Sequence, residues 1–269
     1  RHGTDRSGQI LLICCFITLL NIINDPNENS KKKNIDLIKF FSIALCLTIT
    51  LKPFYFIYIP LFLVLFFYRH SRKIFLELFF TRTFYFCFSL IFFIIFYTFI
   101  NSGCIIFPAT FTCFETLSWS LPIRSIEEVK IWYELWSKGG ANPSFIVEDQ
   151  IEYISGFNWL SNWIDIYFFN KVFDYLIGLI VLFIIILFSF YRKNLDINKI
   201  NIKWLSVYFF IIICFIEWFM KHPALRYGGY HLIALLFFIP LSIFLNKLQI
   251  KWNIFFNKAL IFMIITSII

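Results

Sequence analysis

Long apolar runs alternate with short polar connections along almost the whole chain. Eight runs are long enough, or nearly long enough, for helices that cross a bilayer, since such a helix needs about 20 residues. The pattern predicts an all-α fold, a polytopic transmembrane helical bundle of about eight spans. The predicted spans are residues 8–24, 36–50, 53–68, 83–100, 172–191, 203–220, 230–246 and 254–269.

The second and third predicted spans are short. They form a hairpin around Lys52 and Pro53, and Pro60 is expected to kink the third span. The two segments either cross the membrane fully or form a re-entrant pair. The alternation of charge between successive connections favours two full crossings.

Composition supports a membrane protein. Of 269 residues, 60% are hydrophobic and 15% are charged, and the mean hydropathy is +0.78. Charged residues make up about a quarter of an ordinary soluble domain, so a water-soluble fold of this size is excluded. The sequence starts at Arg1 and stops inside an apolar run at Ile269, which indicates a fragment at both ends.

The net charge of +8 does not indicate a nucleic-acid partner, because most Lys and Arg residues lie in short connections. Basic connections are typical of the cytoplasmic side of a membrane. By this rule the cytoplasmic connections are 25–35, 69–82, 192–203 and 247–251. The non-cytoplasmic ones are the segment 1–6, the turn at Lys52, the loop 101–171 and the turn 221–230.

The chain is therefore expected to have three parts. Residues 1–100 form a first membrane group of four spans, 101–171 form a large helical non-cytoplasmic loop, and 172–269 form a second group of four spans. The loop carries eight acidic and four basic residues, which agrees with that side. A structureless loop of this length would be unusual.

Two amphipathic helices are predicted in the loop. One is expected to begin with a capping box at Ser125 and to end at Gly139-Gly140. The other carries Trp159 and Trp163 on its apolar face. Tryptophan-rich helices beside a membrane either lie at headgroup depth or pack on the protein itself, and the sequence leaves both open.

Cys104 and Cys113 lie early in this loop. On the oxidising side of a membrane such a pair can form a disulfide, whereas two cysteines without a nearby His are a poor metal site. The other five cysteines fall within apolar spans, where they act as small hydrophobic residues.

The turn between the sixth and seventh spans is rich in side chains that bind phosphate. Lys221, His222, Arg226 and His231 can all donate hydrogen bonds, and Arg226 can bind two oxygens at once. Lys52 would join them from the hairpin tip. Gly228-Gly229 would allow a close approach to a ligand, or simply a tight turn.

Two acids are candidate catalytic residues. Glu217 lies at the end of a span, where an acid is either functional or paired with Lys221 one helical turn away. Asp5 precedes the first span, where it could act as a general base or hold a divalent cation, Mg²⁺ or Mn²⁺. The structural alternative for Asp5 is an N-cap of that helix.

These features resemble the GT-C superfamily of integral membrane glycosyltransferases. The strings 3–6, 103–108 and 222–229 also look like an uncharacterised bacterial membrane family near that superfamily. The resemblance implies transfer of a sugar from a polyprenyl-phosphate donor to a glycan or lipid acceptor of the cell envelope, on the outward face of a bacterial inner membrane. The GT-C pattern places its acid in a loop that would lie before Arg1, which leaves Asp5 as a supporting acid.

Two other classes share many of these features. An O-antigen polymerase or ligase also has many spans, a large outer loop and arginines that bind pyrophosphate, but it does not need an acid near the first span. A transporter or flippase would place polar residues at mid-membrane in matched halves. The predicted spans here are nearly free of charge at their centres.

Overall fold

The computed structural model describes residues 3–24, 31–67, 76–77, 79–190 and 202–247. Within these ranges the chain is almost wholly helical and contains no β-strand, only an isolated bridge between Cys104 and Cys113. The prediction of an all-α fold is therefore confirmed for the described part of the chain.

The helices follow one another in a simple order. We number the α-helices α1 (Gly3–Asn24), α2 (Lys31–Leu51), α3 (Leu61–Phe67), α4 (Arg82–Ser102), α5 (Ile123–Lys138), α6 (Gln150–Ile154), α7 (Leu160–Trp163), α8 (Phe173–Phe190), α9 (Ile202–Lys221) and α10 (Gly229–Lys247). Short 3₁₀ segments lie at Pro53–Tyr58, Thr110–Thr112 and Leu225–Tyr227, and a π-helical segment, Ile164–Val172, joins α7 to α8.

Four of the described helical segments are long and apolar enough to cross a membrane, fewer than the eight predicted. They are Asp5–Ile23, Arg82–Ser102, Leu160–Leu187 and Trp204–Lys221. Two further predicted spans correspond to shorter apolar helices, Pro53–Leu65 and Gly229–Ser242. The predicted span 36–50 lies inside α2, whose first half carries five charged residues, and the span 254–269 lies outside the described residues.

The core is formed where α1 packs on α2, and where α10 packs on α1, α8 and α9. Its buried side chains are almost all aliphatic or aromatic. By contrast, α4 contacts mainly α2 and exposes most of its apolar surface. α4 is therefore an apolar helix, long enough to cross a membrane, whose surface is mostly uncovered by the rest of the described protein.

The first loop helix, α5, begins earlier than predicted. Pro122 occupies the N-cap position, so Ser125 lies within the first turn and caps nothing there. The capping-box prediction is wrong because proline already fixes the backbone at the helix start. The predicted end is confirmed: α5 stops at Lys138, and Gly140 adopts a left-handed φ of 79°.

The second loop helix is not separate from the next span. α7, the π-helical segment and α8 follow one another without a break, so the helix that begins at Leu160 continues into the bundle. Trp159 and Trp163 are buried against Phe219 of α9. Their burial favours packing on the protein over insertion at headgroup depth.

Candidate functional site

Three charged side chains meet at one end of the bundle, and we call them the cavity cluster: Asp5, Lys52 and Arg226. One carboxylate oxygen of Asp5 contacts Nζ of Lys52, and the other accepts a hydrogen bond from Nε of Arg226. Asp5 lies in the first turn of α1, which begins at Gly3, so the carboxylate bridges two distant segments instead of capping its own helix.

The next turn of α1 reinforces this arrangement. The side-chain amide of Gln9 donates to the backbone carbonyl of Arg226 (3.0 Å) and accepts from the backbone N–H of His231 (3.2 Å). His231 is fully buried, and its Nε2 lies 2.5 Å from the hydroxyl oxygen of Tyr58. The start of α1 thus fixes the backbone at Arg226 and at the beginning of α10.

Aromatic side chains hold the same turn from the other side. The indole N–H of Trp163 donates to the carbonyl of Pro223 (2.9 Å), and that of Trp218 donates to the carbonyl of Ala224 (3.0 Å). A Cβ atom at Gly229 would lie 2.4 Å from the ring of Trp218. Gly229 is therefore needed for this close packing, which favours the structural interpretation of the glycine pair.

A cavity of about 610 Å³ opens beside the cavity cluster. Three cations line it, Lys52, Lys130 and Arg226, and no carboxylate does among the described residues. The remaining wall is mainly aromatic and apolar. Its side chains come from the hairpin, the end of α4, the loop and the turn before α10: Pro53, Phe54, Tyr55, Tyr97, Thr98, Asn101, Ser102, Phe107, Pro108, Leu121, Tyr133, His222 and Tyr227.

Burial shifts the pKa values of three titratable side chains that line the cavity and lie outside the apolar helices. It lowers the pKa of Lys52 to about 8, helped by repulsion from Arg226, while contact with the Asp5 carboxylate favours the charged form. It lowers the pKa of His222 to about 4, so that imidazole is neutral at pH 7. Burial likewise raises the pKa of Tyr227 to about 12.

The predicted phosphate-binding residues separate into two groups. Lys52, His222 and Arg226 line the cavity, whereas Lys221 and His231 do not. Lys221 instead lies 3.7 Å from the carboxylate of Glu134 in α5. His231 is fully buried in the core, where it packs α10 against the hairpin.

Glu217 also lies away from the cavity. Its Oε2 atom is buried and has no hydrogen-bond partner among the described residues. The basic group of Lys221 pairs with Glu134, so the internal Glu217–Lys221 pair considered from the sequence is not the contact seen. Neither predicted catalytic acid, Asp5 or Glu217, faces the cavity.

Asp5 is the residue that the sequence predicts to hold a divalent cation. Both of its oxygens already contact cations, and within the described ranges no group of three His, Cys, Asp or Glu side chains is arranged to hold a metal ion. Mg²⁺ prefers several oxygen ligands, commonly carboxylates. The described residues thus add no further ligands to Asp5, and its metal role stays a prediction.

The loop contributes a covalently fixed segment to the cavity wall. Cys104 and Cys113 form a disulfide, and the segment between them includes Phe107 and Pro108, which line the cavity. The peptide bond between those two residues is cis. The segment is anchored further by Thr112, whose hydroxyl oxygen accepts from the backbone N–H of Ile106 (3.1 Å).

Several cavity residues were not anticipated from the sequence. Lys130 was expected only as a charge on an amphipathic loop helix, and Tyr97 as part of a span. Tyr133 and Tyr227 complete the aromatic wall. Only the polar residues at the end of the predicted fourth span, Asn101 and Ser102, could have indicated that this helix end borders a polar site.

These features define a class: an α-helical protein with membrane-spanning helices by length and composition, and a cation-lined cavity at their ends. The chain belongs to a family described as a domain of unknown function, DUF8201, whose family model matches residues 9–234. The match includes Lys52 and Arg226 and begins after Asp5. Neither the curated proteins nor the solved structures include a significant match to the chain.

Proposed function

We propose that the chain is an integral membrane glycosyltransferase that uses a polyprenyl-phosphate-linked sugar as donor. One observation carries this proposal: the cavity combines three cations with apolar and aromatic walls and lies at the ends of apolar helices. An anionic headgroup on a hydrocarbon chain has the matching chemistry, because cations favour phosphate and the helix surfaces favour lipid.

Access from the bilayer would be sideways, past α4. That helix exposes apolar side chains over most of its length and contributes Tyr97 and Asn101 to the cavity at its end. A prenyl chain could stay in lipid beside α4 while its phosphate reaches Lys52 and Arg226. No such ligand would then need to leave the membrane.

The cavity also suggests how transfer would occur. Arg226 and Lys52 would bind the phosphate oxygens and stabilise the negative charge of the leaving lipid phosphate. His222 is neutral near pH 7, lines the cavity and has a buried Nδ1 atom without a hydrogen-bond partner in the described structure. With a pKa of about 4 its imidazole is a weak base, so the proton of the acceptor hydroxyl would pass to water as that oxygen attacks the anomeric carbon and the lipid phosphate leaves.

The charge pattern supports a non-cytoplasmic site. α2 runs from the lysine cluster that starts at Lys31 to the cavity residue Lys52, so the two lie at opposite ends of one helix. Short lysine-rich connections favour the cytoplasmic side. The cavity would therefore face the cell envelope, where a glycan or lipid acceptor would be glycosylated.

The test is sugar transfer by the full-length protein in lipid nanodiscs, with a panel of radiolabelled polyprenyl-phosphate sugars and envelope lipids as acceptors. We expect transfer by the wild type and at least a tenfold lower rate for Arg226→Met. Asp36→Asn, an exposed acid that pairs with Lys39 on α2, is the matched control and should keep the wild-type rate. No transfer by the wild type across the panel would count against the proposal.

A second function, that of a polymerase or ligase that acts on diphosphate-linked donors, is favoured by one observation. No described carboxylate faces the cavity, and such enzymes do not need an acidic base. Comparing donors with one and two phosphates separates the two functions. Transfer only from the diphosphate donor, undiminished in Glu217→Gln, would establish the second.

A further inference from the structure

The carboxylate of Asp5 lies behind the two cations and not in the cavity. Its side chain is 7% exposed, against 24% for Lys52 and 40% for Arg226. Both cations line the cavity, and Asp5 does not. An acid placed there is shielded from a substrate by the residues it contacts.

The contacts of Asp5 leave donors free for a ligand. Arg226 uses Nε to reach Asp5, whereas most of the five N–H groups of a guanidinium are on its two Nη atoms. Lys52 has three N–H donors, of which the contact with Asp5 needs one. One carboxylate therefore orients both cations without exhausting either.

The position of Asp5 is itself fixed by the packing of α1. Gly8 lies so close to the hairpin that a Cβ atom there would be 2.6 Å from the ring of Tyr55. Gln9 holds the backbone of Arg226 from the same helix. Asp5 and Gln9 are one helical turn apart, so a single face of α1 secures the side chain and the backbone of the same arginine.

Two neighbouring cations need such a counter-ion. Lys52 and Arg226 repel one another, and partial burial strengthens that repulsion relative to water. Without Asp5, the two side chains would turn apart towards solvent or lipid headgroups. With it, they can remain adjacent and still carry a net positive charge towards the cavity.

We propose that Asp5 is a positioning residue that holds Lys52 and Arg226 side by side to bind one phosphate group of an amphiphilic ligand. The inference rests on the phosphate-binding part of the proposed function. It assigns Asp5 neither proton transfer nor a metal. It also opposes an inhibitory role, in which the carboxylate would compete with the ligand for the same cations.

The experiment measures binding of farnesyl phosphate and of uncharged farnesol to the full chain in nanodiscs of neutral lipid. We expect Asp5→Asn to bind farnesyl phosphate about tenfold more weakly than the wild type, with farnesol affinity unchanged. Asp36→Asn on α2 removes an exposed acid instead and should leave both affinities unchanged.

A double-mutant cycle with Lys52→Met separates positioning from a general charge effect. If Asp5 acts through the cations, Asp5→Asn should weaken binding much less in the Lys52→Met background than in the wild type. Tighter binding of farnesyl phosphate by Asp5→Asn would overturn the inference in favour of competition. Equal binding by Asp5→Asn and the wild type would also overturn it.

A second variant guards against loss of folding. Asp5→Glu keeps the charge but moves the oxygens outward, so we expect about threefold weaker binding of farnesyl phosphate, between the values for the wild type and Asp5→Asn. Unchanged affinity in Asp5→Glu together with an unfolded Asp5→Asn would reduce Asp5 to a structural role. Phosphate binding without sugar transfer would defeat the proposed function and leave this inference standing.

Discussion

The protein has two clusters of one acid and two bases, and the burial of their side chains distinguishes a cluster that stabilises the fold from one that can bind a ligand. The cavity cluster, defined above, joins α1, the hairpin and the turn before α10 and faces open space. The loop cluster consists of Glu134, Lys138 and Lys221; its main pair, Glu134 and Lys138, is buried, whereas Lys221 is 55% exposed. The charges are the same in kind, but their remaining hydrogen-bonding capacity differs.

In the loop cluster, Glu134 and Lys138 make their hydrogen bonds within the protein. Nζ of Lys138 donates to Glu134 (2.7 Å) and to the carbonyl of Ile154 (2.6 Å), and both charged side chains are almost fully buried. In the cavity cluster, only the acid is buried. The difference indicates that the loop cluster fastens α5 to α6 and α9, whereas the cavity cluster is available to a ligand.

The largest expected effect breaks the loop cluster. Lys138→Met would leave the carboxylate of Glu134 buried with only Lys221 nearby, and should cost about 3 kcal/mol of the free energy of unfolding. Unfolding in mixed micelles measures the loss. The double variant Glu134→Gln, Lys138→Met should recover much of the stability, and failure to recover would show that the pair is not the source of the loss.

The cavity cluster should respond in affinity instead of stability. Arg226→Met removes charge-assisted hydrogen bonds to phosphate and should weaken farnesyl phosphate binding by about 2 kcal/mol, roughly thirtyfold. Its stability should change less than that of Lys138→Met, because the buried Asp5 keeps its direct contact with Lys52. Titration of nanodiscs measures the affinity; an unchanged value would remove Arg226 from the site.

A smaller effect concerns pH. Lys52, whose pKa burial lowers to about 8, loses its charge as pH rises through that value, so phosphate affinity should fall by a few-fold between pH 7 and pH 9. His222 stays neutral and Tyr227 stays protonated in this range, because their pKa values are about 4 and about 12. Lys52→Arg should abolish the fall in affinity. An equal fall in that variant would show that another group causes the pH dependence.

The smallest effect is expected at an exposed pair on the same loop helix. Arg124 and Glu128 lie 3.3 Å apart, with side chains 91% and 64% exposed. Glu128→Gln should change the free energy of unfolding by less than about 0.5 kcal/mol and leave ligand affinity unaltered. A loss comparable to that of Lys138→Met would show that burial is not what distinguishes the loop cluster.

The sequence predicted individual helices better than the junctions between consecutive helices. The predicted span 203–220 and helix α9, Ile202–Lys221, agree closely, because polar residues flank one long, mainly apolar run. α7 was separated from α8 in the prediction because Asn162 and Asp165 gave the first part a polar face. A π-helical segment carries the helix past these residues, and periodicity along a sequence does not reveal it.

The sequence predicted several residues of the site but not how those residues are arranged in space. Asp5, Lys52 and Arg226 each stood out as charges beside apolar runs, yet one sequence cannot tell which helix ends are neighbours. The same limitation made Lys221 look equivalent to Arg226, although the structure turns it towards Glu134. Lys130 was missed because a lysine on an amphipathic helix usually faces solvent.

The two indole hydrogen bonds to the turn before α10 have an optical consequence. Trp163 and Trp218 donate to the carbonyls of Pro223 and Ala224, within a few residues of Arg226. Indole emission responds to the electric field around the ring, so a charged ligand at Arg226 should shift the emission wavelength without any attached dye. Trp136, whose ring centroid lies 5.9 Å from Cζ of Arg226, should respond as well, so three of the eight tryptophans make the protein its own fluorescent reporter of what occupies the cavity.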